Sequence, residues 1–229
     1  MTEAFVDRIR SRAYWRILIH PSRFTDQPRV RFADLESIIT RSSVRLRGWD
    51  FPHISDRDGG VRPMQNHVEH VTDWQHYLEY WRYYRSGQFV YIGGLASEWR
   101  DQSELDPGEY TRGAGRPLNV GEAIYRYTEV FELASRLSLT DGGDDEMCVE
   151  IGLHNIDGFD LYLPPSRAGF PVPPRSFINE FTHEVEVTRD SLVADPRSHA
   201  RKGLSELFQR FKWDPGESFL TSMQDPRTR

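Results

Sequence analysis

The densest group of potential metal ligands in this sequence consists of His67, Glu69 and His70. Imidazole and carboxylate ligands together suit a first-row divalent metal ion. On a helix the two histidines would lie near one face, whereas on a strand His67 and Glu69 would share one side and His70 the other. The spacing matches neither His-Glu-x-x-His nor His-x-x-Glu-His, the two motifs of zinc hydrolases. If the segment is a strand, the argument for a metal site is therefore weaker. The simpler alternative is that these histidines face solvent beside a loop.

A second candidate for chemistry follows Trp49, where Asp50 and His53 stand three residues apart between two large rings and a proline. Asp50 could orient His53 as a general base. Alternatively, Asp50 caps the turn at the proline and His53 is hydrogen-bonded at a packed corner, because no nucleophile lies nearby in the sequence. The structural role is the stronger expectation. The catalytic alternative is a metal-assisted hydrolase or phosphodiesterase that uses Asp50, His53, Glu69 and His70.

Arginine and aromatic residues alternate in the two stretches that flank these groups. Arginine binds phosphate or carboxylate, and aromatic rings stack on bases or anchor protein interfaces. The same mixture also occurs in intramolecular cation–π packing. The leading interpretation is a non-enzymatic binding module that needs no cofactor and engages a protein or a nucleic acid. A homo-oligomer with this surface buried between copies is a further interpretation. The predicted binding residues are Arg45, Arg47, Trp49, Trp81, Arg82, Tyr84 and Arg85.

Strands dominate the predicted structure, because apolar and polar side chains alternate and β-branched and aromatic residues are frequent. Residues 68–96 are predicted as antiparallel strands with a turn at 85–88, although a helix over 73–85 would fit the same turn. A second hairpin is predicted around residues 155–158. The predicted strands outside the central stretch cover residues 14–20, 43–51, 147–153, 159–163 and 181–188.

Helix start signals precede two long amphipathic stretches. Asn119, with Glu122 three residues later, forms a capping box, and Asp195 precedes a proline at the first helical position. Asp34 and Asp214 give similar signals for two shorter helices. Together with the strands, these patterns predict an α+β fold with a largely antiparallel sheet that is built from hairpins and packed by two main helices.

Composition is consistent with one domain over residues 1–229, since 38% hydrophobic and 13% aromatic residues can build a core. Segment 101–118, which contains glycine and proline, is the candidate subdomain joint. The net charge of -6 argues against a general nucleic-acid-coating protein. The single cysteine, Cys148, excludes an intramolecular disulfide. Residues 1–12 are polar and no long apolar run exists, so a cytoplasmic protein without membrane contact is expected.

Two stretches of the chain, residues 43–54 (SVRLRGWDFPHI) and 79–90 (EYWRYYRSGQFV), resemble a poorly characterised bacterial family. In some members of that family a similar region accompanies a Schlafen-type AlbA DNA-binding domain. The likeness covers mainly residues 14–95, and this chain departs from the two-domain arrangement because it has no recognisable companion domain. The resemblance implies a bacterial cytosolic protein in regulation or antiviral defence. It assigns no catalytic residues.

Overall fold

A computed structural model describes residues 2–100, 116–163 and 170–225 of the chain. Strands and helices alternate along these ranges. The strands are β1 (Tyr14–Pro21), β2 (Val44–Arg45), β3 (Asp50–Phe51), β4 (Arg62–Pro63), β5 (His67–Trp74), β6 (Tyr77–Tyr84), β7 (Phe89–Gly94), β8 (Arg116–Asn119), β9 (Glu146–His154), β10 (Phe159–Tyr162) and β11 (Glu180–Thr188). The helices are α1 (Thr2–Arg10), α2 (Leu35–Ser42), α3 (Val120–Ser138), α4 (Arg189–Ala194), α5 (Pro196–Gln209) and α6 (Glu217–Gln224).

Seven strands form one sheet in the order β11-β9-β1-β7-β6-β5-β4, and every neighbouring pair in it is antiparallel. Strands β5, β6 and β7 follow one another along the chain as two hairpins, whereas β1 inserts between β7 and β9. The two longest helices, α3 and α5, pack against each other and contribute to the core. The predicted α+β class, with a largely antiparallel sheet and two main helices, is confirmed.

The sheet has two different faces, because successive side chains of a strand point to opposite sides. The helix face carries the main core, in which Trp81 and Tyr83 of β6 are fully buried together with α3. On the opposite side, the outer face, Val6 and Ile9 of α1 pack against Tyr80 and its neighbours at the β6–β7 end. The β9 and β11 end of the outer face is more exposed. None of the described helices combines the length and the apolar character needed to cross a lipid bilayer.

Two strand predictions are wrong in detail. Residues 43–51 do not form one strand; β2 and β3 are two-residue strands that pair around loop 46–49, in which Gly48 adopts a φ of 76°. Glycine tolerates this left-handed conformation, so the chain reverses there. Residues 147–153 and 159–163 do not form a hairpin either, because β9 pairs with β1 and β11 while β10 pairs in parallel with β8.

Two of the four predicted helix N-caps are present. Asn119 Oδ1 accepts a hydrogen bond from the Glu122 backbone N–H at 3.1 Å, and Asp195 Oδ1 caps α5 in the same way. Asp34 precedes α2 but its side chain makes no capping hydrogen bond, and the last helix begins at Glu217. Helices α1 and α4 were not predicted. Most of the candidate joint at 101–118 lies outside the described residues.

Candidate ligand-binding cleft

A cleft of about 190 Å³ opens where the sheet, loop 46–49 and the first two turns of α3 meet. Three aromatic rings line it: Trp15 from β1, Trp49 from the loop and Tyr77 from β6. Four charged side chains complete its wall, namely Arg47, Glu79, Glu122 and Arg126. We call this site the α3 cleft. Tyr77 is 40% exposed and marks the rim of the cleft.

Two aromatic rings and two carboxylates surround the guanidinium group of Arg126. Its guanidinium lies 4.7 Å from the ring centre of Phe51 and 4.9 Å from that of Tyr91, which is cation–π distance. It donates to Glu79 Oε1 at 3.4 Å and lies 3.8 Å from Glu129 Oε2. Burial raises the pKa of Tyr91 well above its usual value and Glu79 adds to the effect, so the hydroxyl remains a donor to Glu79 Oε1 at 2.9 Å.

Arg47 is also committed to a carboxylate. Its Nε and one terminal nitrogen donate to the two oxygens of Glu129 at 2.8 and 2.7 Å, which is the bidentate geometry that arginine favours. Glu129 is only 1% exposed, so this ion pair is largely removed from solvent. The pair fastens loop 46–49 to α3 and thereby places Trp49 in the cleft wall.

Glu79 presents the one unsatisfied acceptor of the cleft among the described residues. Its residue is 8% exposed, and Oε2 is shielded from solvent without a hydrogen-bond partner in the described structure. Burying a charged oxygen without a donor is unfavourable. Glu122, at the start of α3, makes no ion pair within the described ranges. The charges of the cleft wall, two arginines and two glutamates, sum to zero, and Glu129, which pairs with Arg47 behind the wall, adds one formal negative charge to the site.

The predicted pairing of Asp50 with His53 is present, with 2.9 Å between Asp50 Oδ1 and His53 Nδ1. Trp49 stacks on the His53 ring at 4.2 Å, and Trp81 Nε1 donates to the His53 carbonyl at 2.8 Å. His53 is 7% exposed, and no described hydroxyl or thiol is hydrogen-bonded to its Nε2. The geometry therefore favours the structural role, in which Asp50 orients an imidazole that supports Trp49.

The predicted binding surface is wrong for Trp81. This ring is 0% exposed and stacks on His70 at 5.8 Å inside the core. Strand alternation sends Arg82 and Tyr84 to the outer face, where Arg82 donates to the Tyr84 hydroxyl at 3.3 Å. The seven predicted residues consequently do not form one continuous surface.

The remaining members of the predicted set are dispersed. Arg45 is exposed on β2, and Arg85 Nε donates to the Val30 carbonyl at 3.2 Å. Arg47 and Trp49 alone reach the α3 cleft. Binding by the others stays a prediction.

The alternative metal set is divided between the two faces of the sheet. His67 and Glu69 lie on the outer face with 3.5 Å between Nε2 and Oε2, whereas His70 lies on the helix face, where its Nε2 is 2.9 Å from the Ser55 carbonyl. In the part of the chain that the structure describes, no group of three or more His, Cys, Asp or Glu residues is placed to hold a metal ion. The four-residue catalytic set is split in the same way, since Glu69 faces away from His53.

Glu69 instead joins a buried hydrogen-bond network on the outer face. Tyr80 donates to Glu69 Oε2 at 2.6 Å and Arg82 donates to the same oxygen at 3.3 Å. Burial raises the pKa of Glu69, but these donors outweigh burial and the net pKa is lowered. Burial, together with Arg82, lowers the pKa of His67. These side chains link β5 to β6 in addition to the backbone pairing of the two strands.

Comparison of the chain with protein-family models, with curated proteins and with solved structures gives no match. The resemblance to the bacterial family therefore stays a prediction. The chemistry of the α3 cleft follows from its own side chains. Sequence reasoning missed Glu79 and Arg126, although each had a signal: an acid between the aromatic residues of β6, and an arginine within an otherwise apolar helix stripe.

Proposed function

We propose that this chain is a non-enzymatic binding module whose α3 cleft takes an organic cation, an ammonium or guanidinium group. The observation that supports the proposal is Glu79 Oε2, a buried acceptor without a partner in the described structure, in a wall that also contains Trp15, Trp49 and Tyr77. Because Oε2 is shielded in the unliganded chain, a cation would reach it after a small shift of the surrounding side chains and would then satisfy this oxygen. Aromatic rings attract cations through their π faces. Trp49 is already stacked on His53 and Tyr77, so this contribution would come from Trp15 and from the exposed side of Tyr77.

The size of the cleft limits the ligand. Pockets for drug-sized molecules and cofactors measure roughly 300–1,000 Å³. A cleft of about 190 Å³ is smaller and suits a single side chain or a small amine. An arginine or lysine side chain of a protein partner meets this limit.

Charge distinguishes a cation from a phosphate. Arg47 and Arg126 already donate to carboxylates, so their positive charges are largely compensated before a phosphate could bind. The net formal negative charge of the site repels phosphate and attracts a cation. A basic protein segment is therefore favoured over a nucleic acid as the partner. The family resemblance would place such a module in the cytoplasm, in bacterial regulation or antiviral defence.

A pair of matched ligands tests the proposal. N-acetyl-arginine amide and N-acetyl-citrulline amide have nearly the same shape, but only arginine is charged. In calorimetric titrations we expect the arginine compound to bind at least about tenfold more tightly, because a hydrogen bond to a charged group contributes about 1.5–3 kcal/mol. Equal affinity for the two compounds would contradict a cation site.

Glu79→Gln is the matching protein variant. It keeps an oxygen that can accept from Tyr91, and it removes the negative charge from the cleft. We expect the preference for arginine over citrulline to disappear. Glu36→Gln, the same change at an exposed position of α2, should leave the preference unchanged. An unaltered preference in Glu79→Gln would show that the cation binds elsewhere.

A further inference from the structure

Strand β11 forms one edge of the seven-stranded sheet. It pairs with β9 along its whole length, from Glu180 opposite His154 to Thr188 opposite Glu146. No other described strand lies on its second side, and residues 180–188 make no further backbone–backbone hydrogen bond within the described ranges. The backbone groups on that side are therefore available to another strand.

Natural proteins usually protect such an edge. Common devices are a very short edge strand, charged side chains, a proline, a bulge or a covering element. β11 is nine residues long and runs in unbroken register without proline or bulge. Helices α4 and α5 contact it, but no described strand covers its free edge, so its glutamates are the protection that the described residues provide. The average strand has about 5–6 residues, so β11 offers a template of more than average length.

The outer face beside this edge is strongly acidic. Glu184 and Glu186 are exposed and make no ion pair in the described part of the chain. Glu180 lies 3.2 Å from His154, and Glu150 pairs with Arg16. Burial raises the pKa of the Cys148 thiol between these strands, and the carboxylates of Glu186, Glu184 and Glu146 add to that effect. The face therefore has a negative potential along β9 and β11.

We infer that β11 is a docking edge for an extended peptide segment with basic side chains at alternate positions, which adds to the sheet as an eighth strand. Backbone hydrogen bonds would hold such a strand, and every second side chain would lie beside the glutamates of the outer face. Strand β9 lies between this edge and β1, the nearest strand that lines the α3 cleft, and the glutamates of β11 lie on the outer face, so the inference does not depend on the function proposed for the cleft.

Charge complementarity selects this partner over others. Two copies of β11 paired with each other would bring glutamate side chains close together, and like charges on neighbouring strands are destabilising. A nucleic acid would be repelled by the same carboxylates. A basic extended peptide is not repelled by these glutamates, because its side chains carry the opposite charge.

Three fluorescent nine-residue peptides test the inference by anisotropy. The first alternates arginine with threonine, the second has the same composition with its arginines grouped together, and the third is the first peptide N-methylated at alternate residues. We expect the first peptide to bind at least about tenfold more tightly than the other two. It should also slow amide hydrogen exchange in residues 180–188. If the grouped peptide binds equally well, binding of the alternating peptide is only unspecific electrostatic attraction, which contradicts the inference. If the methylated peptide binds equally well, strand addition is excluded.

Protein variants locate the site. The double variant Glu184→Gln with Glu186→Gln should weaken binding of the alternating peptide by about fivefold to tenfold at low salt. The control, Glu3→Gln with Glu36→Gln, removes two exposed glutamates from helices and should change nothing. Unchanged binding in the β11 variant would overturn the inference. So would self-association of the wild-type protein that protects residues 180–188 at high concentration, because a second copy would then occupy the edge.

Discussion

The ion pair between Arg47 and Glu129 gives the sharpest stability prediction. Replacing Arg47 with Met removes both hydrogen bonds from a carboxylate that is 1% exposed. Removing one partner of a buried pair typically costs about 3–5 kcal/mol, because the other charge is left without compensation. Arg126 remains 3.8 Å from Glu129 Oε2 and offsets part of this loss. We therefore expect Arg47→Met to lower the free energy of unfolding by about 3 kcal/mol.

The reverse deletion should be milder. Glu129→Gln leaves Arg47 without its carboxylate, but the Arg47 side chain is 25% exposed and can be hydrated. We expect a loss of about 1–2 kcal/mol for this variant. The double variant Arg47→Met with Glu129→Gln should be more stable than the sum of the single losses predicts, since neither charge is then left unpaired.

Urea unfolding, followed by tryptophan fluorescence, measures these differences in the free energy of unfolding. The comparison requires that the slope of this free energy against urea concentration is the same in all variants. Arg45→Met is the matched control, because Arg45 lies two residues earlier, is exposed and has no ion pair in the described structure. Its effect should stay within about 0.5 kcal/mol. An Arg47→Met variant as stable as Arg45→Met would refute the assignment of Arg47 as the residue that compensates the buried Glu129 and anchors the cleft loop.

Three further predictions concern the fold. In Gly87→Ala the new Cβ would lie 1.9 Å from the Gly142 carbonyl oxygen at a φ of +84°, so thermal unfolding should show a loss above about 2 kcal/mol, against about 1 kcal/mol for Gly158→Ala, which has open space. Burial raises the pKa of Tyr83 to about 12, so its contribution to stability is complete below pH 10 and is lost as the pH rises toward 12. Tyrosinate absorbance compared with Tyr83→Phe measures this, and ionisation near pH 10 in the folded protein would contradict it. The pKa of Glu69 is lowered from 4.5, so Glu69→Gln should be less stable than the wild type at pH 7, with a difference that shrinks as the pH falls below 4.5. A difference independent of pH would contradict that prediction.

The sequence predicts best where structure is local. Strands β6 and β7 are joined by a short turn and alternate densely in aromatic side chains, so their hairpin follows from neighbouring residues. Helix α3 is equally predictable from the sequence, because an apolar stripe follows the N-cap at Asn119. Helix α1 is not readable from its sequence, since only two of its residues, Val6 and Ile9, are buried and their contacts lie on distant strands. The parallel pairing of β10 with β8 joins segments about forty residues apart and has no local signal.

The candidate site was only partly predictable for a related reason. Alternation shows that Trp81 and Arg82 point to opposite sides, but both faces of β6 carry aromatic residues, so the pattern does not tell which face is the core. Arg47 and Trp49 belong to the seven predicted binding residues and both line the cleft, and their role in binding stays a prediction. The importance of Glu79 depends on which donors reach its carboxylate, and only the packed structure fixes that.

A crystal structure of the chain with N-acetyl-arginine amide tests the central claim most directly. We predict that the guanidinium group lies in the α3 cleft, about 3 Å from the Glu79 carboxylate and in contact with the ring of Tyr77. A ligand bound at another surface, or a cleft that excludes the ligand while a water molecule satisfies Glu79, would contradict the claim.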